Sequence, residues 1–334
     1  MPKKAKPQKK RLLVFNCHES WVYQLNQLDY QLDVITELTG RHTSDWDYNM
    51  RPFPNNARKI SLREAQHTQK RYHCIIVHNL KDLIDIKERK EPKLLVIHST
   101  IEGRVISEGS DVNPLQMRAA LQQYVALTGT HVVAVSELKG ASWGQTSDIV
   151  PFSVNCQDYL PYHGDTAKGL RVSNFIDRRP EILMWDLHQR AFHDVPVNIV
   201  GHNPNLDNVV ASRDWSELKT ILQSHRFFIH TADPKLEDGY NMATHEAMAA
   251  GLPIIGNPNP SSPIEHGVSG FLSDDPEKLN HYAKCLIDDH ELARQMGQEA
   301  KRAAQKLFAP EIFIDGINAA IAIAREKKRN KGRF

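Results

Sequence analysis

The 334-residue chain has few of the features that mark disulfide-bonded, secreted or membrane-spanning proteins. Its four cysteines are scattered and form no C-x-x-C pair, so we expect reduced thiols in a cytoplasmic setting. We find no apolar run long enough to span a bilayer, and the N-terminus is too polar for a signal peptide. With 40% hydrophobic and 25% charged residues, the composition is typical of a globular chain of two domains.

Several catalytic signatures are missing as well. The chain has no H-E-x-x-H, no G-x-S-x-G and no P-loop sequence, which argues against the enzyme classes that depend on them. Asp45-Trp46-Asp47 is a D-x-D triplet, but no strand directly precedes it, so we expect no metal-binding residues there. His245, among seventeen histidines, is expected on the surface of a helix.

Basic charge is concentrated at the two ends of the chain. Six basic residues lie within positions 1–11, and six more lie within positions 325–334 beside a single acid, Glu326. The remaining body is acidic, with 30 basic and 39 acidic residues, although the net charge of the whole chain is +2. Basic ends of this kind can bind an anionic membrane surface or nucleic acid, or serve only as solvated ends.

Apolar runs with the length of strands alternate with helical patterns, which is typical of parallel sheets covered by helices. The predicted strands are 11–15, 32–36, 74–77, 93–97 and 132–135 in the first half, and 170–174, 197–200, 227–229 and 253–255 in the second. Two successive sets predict an α/β protein with two Rossmann-like domains. We place them at 12–165 and 166–309, between a basic tail at 1–11 and a last helix with a basic tail at 310–334.

Signals at the predicted boundaries are local. The polar, turn-rich segment 157–168 has the composition of a linker. Asp274-Asp275 before Pro276 predicts a helix start, with a break near Asp288-Asp289 and a new helix from Pro310.

The segment 233–272 contains the most informative pattern. The strand 227–229 is followed by the turn Asp238-Gly239, a run of good helix formers up to Ala250, and Gly251 as a helix stop. A helix that begins after a glycine turn offers free backbone N–H groups to a phosphate. Two carboxylates beside it, Asp238 and Glu246, suit the hydroxyl groups of a sugar. Phosphate and hydroxyls together describe a nucleotide sugar.

This segment resembles the E-x7-E region of retaining glycosyltransferases of the GT-B fold, of the family 4 type. Asp238 stands at the first acid of that motif and Glu246 at the second. Residues 247–255, Ala-Met-Ala-Ala-Gly-Leu-Pro-Ile-Ile, and residues 265–272, Glu-His-Gly-Val-Ser-Gly-Phe-Leu, are similar to the segments that follow it. The resemblance covers the second domain well and the first loosely. It implies two domains that face a cleft, an N-terminal domain on the acceptor side, and a C-terminal helix that crosses back.

The resemblance also implies roles for residues in the donor site. Glu246 would hold the ribose, and Asp238 would bind the sugar hydroxyls as a catalytic residue. The diphosphate would be held by Arg179 and by backbone groups at the start of the helix, namely Gly239, Tyr240, Asn241 and Met242. Asn174 stands where the family has an arginine, and Arg178 is expected to compensate.

Other candidates lie at the ends of first-domain strands. His98 follows the strand 93–97, and ligands of open α/β sheets bind at the carboxyl ends of strands. It resembles the family's histidine near the reacting carbon, so we predict it as catalytic. The family's glycine pair after the first strand is absent, and His18 or Ser20 would replace it. Gly201 resembles a glycine near the nucleotide base.

The sequence therefore predicts a retaining glycosyltransferase that moves a sugar from a nucleotide-sugar donor to an acceptor hydroxyl, with no cofactor and no metal. The acceptor could be a glycan or lipid-linked saccharide, a protein or a modified nucleic acid. A GT-B epimerase or phosphorylase, or a binding protein without activity, are the alternatives. The expected location is cytoplasmic, with peripheral membrane attachment through the basic ends.

Overall fold

The protein has two α/β domains, each built on its own parallel β-sheet. The structure is a computed structural model that describes residues 9–41, 45–109, 111–145, 148–159 and 161–331. Positions 1–8 and 332–334 of the predicted basic tails lie outside the described residues. The first sheet has the order β3-β2-β1-β4-β5-β6 and the second the order β11-β10-β9-β7-β8. All strand pairs in both are parallel.

The strands of the first sheet are β1 (Arg11–Phe15), β2 (Gln31–Ile35), β3 (Ala57–Ile60), β4 (Cys74–Val77), β5 (Lys93–Ile97) and β6 (His131–Ala134). Those of the second are β7 (Thr166–Val172), β8 (Val197–Val200), β9 (His225–His230), β10 (Ile254–Gly256) and β11 (Gly270–Leu272). The nine predicted strands are all present, with ends that shift by a few residues. The central strands are buried on both faces, which is why they read as unbroken apolar runs.

Two edge strands escaped prediction. In β3, Arg58 and Lys59 are charged and only Ile60 is buried, so the strand lacks an apolar run. It pairs with β2 at the edge of the sheet, where Arg58 also binds the buried Asp33. The second, β11, has three residues and begins at a glycine. Both strands are stabilised by pairing with a neighbouring strand, β2 for β3 and β10 for β11, and local composition does not predict such pairing.

Helices cover both sheets. The first domain contains α1 (Glu19–Gln24), α2 (Leu62–His67), α3 (Leu80–Asp85), α4 (Ile101–Glu108), α5 (Pro114–Thr128) and α6 (Glu137–Ser142). The second contains α7 (Trp185–Ala191), α8 (Trp215–Ser224), α9 (Met242–Ala250), α10 (Pro276–Asp288) and α11 (His290–Leu307). The predicted start at Pro276 and the break near Asp289 are confirmed, because Asp275 caps α10 and Asp289 caps α11.

The last helix, α12 (Pro310–Lys331), returns from the second domain to the first, as predicted for a GT-B fold. It packs against β4, β5 and β6 and buries Phe313, Ile317 and Ile321. Its basic end is helical rather than a free tail. Lys327 Nζ lies 3.1 Å from His131 Nδ1, and Lys331 Nζ donates to the Ala126 carbonyl at 2.8 Å.

One helical stretch, within His290–Lys331, is long and apolar enough by composition to cross a bilayer, although we expected none from the sequence. The core helix of a soluble protein meets the same criterion. Phe313, Ile317 and Ile321 on α12 are buried, although only 33% of the apolar stretch is. They belong to a core cluster that also includes Leu12 of the first domain and Phe228 of the second, so the apolar core is continuous between the domains.

Candidate active site at the cleft

The loop from β9 to α9 forms the centre of the site. Asn241 is the N-cap of α9, and its side chain accepts from Thr244 N at 2.9 Å in a reciprocal capping box. Helix geometry leaves the Met242 and Ala243 amides without an intrahelical acceptor. The start of α9 therefore offers backbone donors to an anion, as the glycine turn predicted. The Asn241 side chain itself is occupied by the cap.

Two glycines allow close backbone approaches near this loop. A Cβ at Gly239 would lie 2.8 Å from Asn259 Cβ, so a side chain there would displace the neighbouring loop. Gly239 N donates to Ser261 Oγ at 2.9 Å. Gly201, at the end of β8, has a φ of +142°, and a Cβ there would lie 2.2 Å from Ser173 O. Gly201 thus keeps the loops after β7 and β8 close together, next to the predicted site of the nucleotide.

Asp238 is completely buried and lies beside Lys139 of the first domain. Lys139 Nζ is 3.1 Å from Asp238 Oδ2 and 2.7 Å from Glu237 Oε1. Burial alone would lower the pKa of Lys139, but the two carboxylates raise it well above its ordinary value. The lysine is therefore a cation held at the sugar side of the predicted site. It extends from α6, which follows β6.

Glu246 is also paired with a cation of the first domain. Arg51, on the loop between β2 and β3, donates from Nη2 to Glu246 Oε1, and both side chains are almost fully buried. The guanidinium also lies 4.5 Å from the ring centre of Trp215, at the start of α8. In the part of the chain that the structure describes, Glu246 Oε2 forms no hydrogen bond and is the oxygen left for a ligand.

The predicted diphosphate arginines differ in their surroundings. Arg179 is half-buried, and its Nη2 donates to Asn174 O at 2.6 Å. Burial lowers its pKa, while the nearby Glu237 carboxylate opposes that change. Arg178 is exposed, with its guanidinium 4.8 Å from the Phe175 ring centre. Asn174 Oδ1 accepts from His202 N at 2.8 Å, so this residue connects two loops instead of supplying a positive charge.

His98 lies at the carboxyl end of β5, as predicted. Its Nε2 is 2.9 Å from His78 Nδ1 and 3.8 Å from Cys17 Sγ. Burial, with His78 and Lys139 as further causes, holds the pKa of His98 well below its ordinary value. The imidazole is therefore neutral at physiological pH.

His18 and Ser20 lie at and within the first turn of α1, which follows β1. His18 is the N-cap residue, and Ser20 is buried. Gln24, at the end of the same helix, reaches the second domain, where its Nε2 contacts Met242 Sδ at 3.9 Å. Helix α1 thus places the two predicted residues beside the cleft, and Met242 contacts the first domain directly.

The expectation for His245 is wrong. The residue is buried, and its ring lies against Phe308 with 3.6 Å between the ring centres, and against Tyr240 at 4.9 Å. Burial lowers its pKa to about 3. The helix α9 is buried on all sides between α8, α11 and the sheet, so it has no surface face at this position. Tyr240 is buried in the same stack, so only its backbone is available to a ligand.

Sequence reasoning did not identify Arg51 or Lys139 as site residues. Arg51 lies in a polar loop and Lys139 in a short helix, and neither matches a motif. A further contact across the cleft joins Thr100 Oγ1 to the Leu236 carbonyl at 2.7 Å. All these groups follow strands of the first sheet and meet the β9–α9 segment of the second. The carboxyl ends of both sheets therefore face one cleft.

Two groups of side chains could hold a metal in principle. In the D-x-D triplet, Asp45 binds Lys59 Nζ at 3.0 Å, and Asp47 accepts from Asn49 N at 2.9 Å. Among the described residues, the one cluster of metal-ligating side chains with converging atoms is Cys17, His78 and His98. Its ligand atoms all lie within 4.8 Å of one another.

Residues 171–289 match the family model described as "Glycosyl transferases group 1". The matched segment runs from β7 to the start of α11 and includes Asp238, Glu246, Arg178 and Arg179. Among curated proteins, none matches the chain significantly. The family match therefore rests on the second domain, where the sequence resemblance is also strongest.

Solved structures match the whole chain at low identity. Sucrose-phosphate synthase from Thermosynechococcus elongatus is 14% identical, with a TM-score of 0.67 over 93% of this chain and 98% of that one. HepE from Anabaena, in complex with UDP and glucose, is 13% identical, with a TM-score of 0.66 over 94% and 99%. An α-glucosyltransferase in complex with UDP and a DNA 13-mer is 9% identical, with a TM-score of 0.64 over 94% and 100%.

These likenesses establish the fold of the chain. It is the GT-B fold, with two parallel-sheet α/β domains and a C-terminal helix that crosses back. The family match over residues 171–289, which contain the β9–α9 site, supports glycosyltransferase activity for this protein.

Proposed function

We propose that this protein is a retaining glycosyltransferase that uses a nucleotide sugar, in the first place a UDP-sugar. The observation that carries the proposal is the arrangement of Asp238, Glu246 and the start of α9 on one side of a cleft lined by first-domain cations. HepE with UDP-glucose and the α-glucosyltransferase with UDP support the choice of base.

Each part of the site has a proposed task. Glu246 accepts a hydrogen bond from a ribose hydroxyl through Oε2, while Arg51 holds Oε1. Asp238 binds a sugar hydroxyl, and Lys139 orients its carboxylate. Arg179, with Arg178 in support, and the amides at the start of α9 bind the diphosphate. Negative charge builds on that group as the glycosidic bond breaks, so these donors stabilise the transition state.

Retention and the absence of a metal requirement follow from the family resemblance. In such enzymes, the donor phosphate oxygen is thought to assist the incoming hydroxyl on the same face of the sugar, and no protein nucleophile is named. We propose that His98, neutral at the end of β5, hydrogen-bonds the sugar near the reacting carbon. Helix amides and arginines take the part that a metal plays elsewhere. We propose a cytoplasmic location.

The acceptor is a hydroxyl compound that enters from the first domain. The basic end of α12 gives that domain a positive surface, which suits an anionic acceptor or membrane. A lipid-linked saccharide is one candidate, while a protein and a modified nucleic acid are others. The basic surface supports peripheral attachment, with the membrane and nucleic acid as its two candidate partners.

A second candidate is a nucleotide-sugar-binding protein without transfer. The observation behind it is that Asp238 and Glu246 are both already paired with buried cations. An epimerase or phosphorylase would use the same donor site with a different second substrate. These alternatives share donor binding and differ in the product.

The test combines binding with product analysis. A thermal-unfolding panel of nucleotide sugars should single out one donor, which at 100-fold its Kd adds about 2.7 kcal/mol to the free energy of unfolding. That donor is then incubated with simple acceptors, and NMR of the product reads the configuration at the anomeric carbon. An inverted product would refute retention. Donor binding without any turnover, including hydrolysis and epimerisation, would favour the second candidate.

A further inference from the structure

Three side chains with ligating atoms converge at the edge of the first sheet. Cys17 follows β1, His78 follows β4 and His98 follows β5, and these strands are adjacent in the order β1-β4-β5. The carboxyl ends of neighbouring parallel strands meet at one edge, so the three residues are brought together by topology rather than by sequence spacing. His98 Nε2 lies 2.9 Å from His78 Nδ1 and 3.8 Å from Cys17 Sγ.

Hydrogen bonding fixes the lone pair of His78. Its Nε2 lies 3.1 Å from the Phe15 carbonyl oxygen, which can only accept, so this nitrogen carries the proton. Its Nδ1 is then unprotonated, with His98 Nε2 at 2.9 Å and Cys17 Sγ within 4.8 Å. A bond from the second ring nitrogen to a backbone carbonyl is the usual support of a metal-binding histidine. Burial lowers the pKa of His78 to about 3, so the ring stays neutral at physiological pH.

The spacing suits a small, borderline-soft cation. Zinc–sulfur bonds of about 2.3 Å and zinc–nitrogen bonds of about 2.0–2.1 Å place tetrahedral ligand atoms roughly 3.3–3.6 Å apart. The two separations around His98 Nε2 lie on either side of that range, so small side-chain rotations would complete the geometry. A cavity of about 130 Å³ borders both imidazole rings and gives access from the side of α5.

We propose that Cys17 Sγ, His78 Nδ1 and His98 Nε2 bind one Zn²⁺, with a fourth position open. The Cys17 thiol loses its proton to solvent as the sulfur binds the metal. In the metal-free protein, His98 Nε2 donates to His78 Nδ1. Metal on Nε2 moves the His98 proton to Nδ1, which reverses the hydrogen-bonding role of each ring nitrogen.

The change in the His98 tautomer should affect transferase activity, and this part of the proposal rests on the proposed function. If a hydroxyl of the donor sugar donates to His98 Nδ1, zinc turns that acceptor into an N–H donor, so the native hydrogen bond is lost and we expect transfer to be inhibited. The metal is then an inhibitor at the active site and not a cofactor. Binding itself depends only on the three ligands and would stand without transferase activity.

The test of binding uses Co²⁺ as a spectroscopic substitute for zinc on the full chain. A tetrahedral site with one thiolate gives intense visible absorption and a near-ultraviolet band from sulfur to cobalt, and added zinc should abolish both. Cys17→Ser should remove the ultraviolet band. It and His78→Gln should each weaken binding by more than the roughly 10–100-fold that the loss of an outer-shell partner costs.

The chain contains a matched control. Cys285 Sγ lies 3.6 Å from His281 Nε2 on the outer side of α10, as a second cysteine–histidine pair that has no third ligand among the residues the structure describes. Cys285→Ser should leave both bands unchanged. Bands that disappear in Cys285→Ser and persist in Cys17→Ser would overturn the proposal, as would their absence from the native protein with thermal unfolding showing it folded.

Inhibition is measured separately with the donor identified by the binding panel. One equivalent of zinc should reduce transfer by the native protein at least tenfold and leave Cys17→Ser unaffected. Zinc that binds at Cys17 without slowing transfer would refute inhibition. If no donor is turned over in metal-free buffer, the proposed function fails, and the cobalt titration still decides whether the metal site exists.

Discussion

Arg51 of the first domain and Glu246 of the second form a buried ion pair across the cleft, 195 residues apart in sequence. The pair occupies one oxygen of the carboxylate that we assign to the ribose. The other oxygen remains for the ligand. Arg51 therefore sets the orientation of Glu246.

Replacing Glu246 tests the ribose assignment. Glu246→Gln should weaken donor binding by on the order of 1.5–3 kcal/mol, the usual range for a hydrogen bond to a charged group. Titration calorimetry measures the affinity, and Glu299→Gln on the exposed face of α11 is the control. The ribose assignment is wrong if Glu246→Gln binds the donor as tightly as the native protein.

Arg51→Ala tests whether Arg51 orients Glu246 for the ribose or instead competes with the ribose for it. Removing one partner of a buried ion pair costs roughly 3–5 kcal/mol, so thermal unfolding should show a clear loss of stability. Donor affinity should also fall, because Glu246 loses the group that orients it. Tighter donor binding in Arg51→Ala would instead mean that the arginine blocks the ribose site.

Asp238 should act through its charge. Asp238→Asn should lose most transfer activity, whereas Asp238→Glu, which restores the family's residue, should keep a measurable part of it. Asp233→Asn, in the same loop, is the control, since the Asp233 carboxylate accepts from the nearby Lys235 N at 2.8 Å. Transfer assays at saturating donor give the comparison. Full activity in Asp238→Asn would show that the Asp238–Lys139 ion pair has only a structural role.

Metal removal should leave transfer intact. Arg179 and the α9 amides neutralise the diphosphate in our proposal, so excess chelator should not reduce the rate and should relieve any zinc inhibition. Loss of activity on chelation, restored by manganese in the native protein but not in Asp45→Ala, would contradict this. That result would assign the donor diphosphate to the D-x-D triplet.

The neutral histidines predict a direction for pH dependence. Folding lowers the pKa of His78 and His98 from the ordinary value of about 6.5, so stability is complete above that pH and falls as the pH decreases. Between pH 7.5 and pH 5, protonation of His78 should cost about 2 kcal/mol of unfolding free energy, and His98 should lower stability in the same direction. Denaturant unfolding of His78→Gln should show a smaller decrease, while the exposed His193→Gln should match the native protein.

A basic groove near the end of α12 should govern association with anionic surfaces. A cavity of about 360 Å³ is lined by Tyr72, His73, Pro92, Arg325, Lys328 and Arg329. Charge reversal at the three basic residues should abolish salt-sensitive binding to phosphatidylserine vesicles, at about 1 kcal/mol per residue, without changing donor affinity. Reversal of Lys301, Arg302 and Lys306 on α11 is the control.

Nucleic acid is compared with the vesicles directly. If the groove variant binds both surfaces as well as the native protein does, the basic end serves only to dock α12. Deleting residues 327–331 would confuse this experiment, because Lys327 and Lys331 hold the helix against His131 and the end of α5.

The sequence predicted the donor half of the site because that half is local. A turn, a helix start and two acids lie within one strand–loop–helix segment, so chain spacing alone positions Asp238 and Glu246. Their partners could not be predicted, since Arg51 and Lys139 arrive through the packing of another domain. The edge strand β3 could not be predicted for a related reason. Arg58 of β3 pairs with the buried Asp33 of the neighbouring strand, so β3 joins the sheet without the apolar pattern that predicts a strand.

The return of α12 determines the order in which the protein can be completed during synthesis. The first domain begins at Arg11, but its core includes Phe313, Ile317 and Ile321 from the final 22-residue helix. A ribosome that has made both sheets has not yet supplied this helix, so the first domain keeps an uncovered apolar face until the chain is nearly finished. A fragment that stops after residue 165 has the same uncovered apolar face. Fusing residues 310–331 to that fragment should restore its solubility.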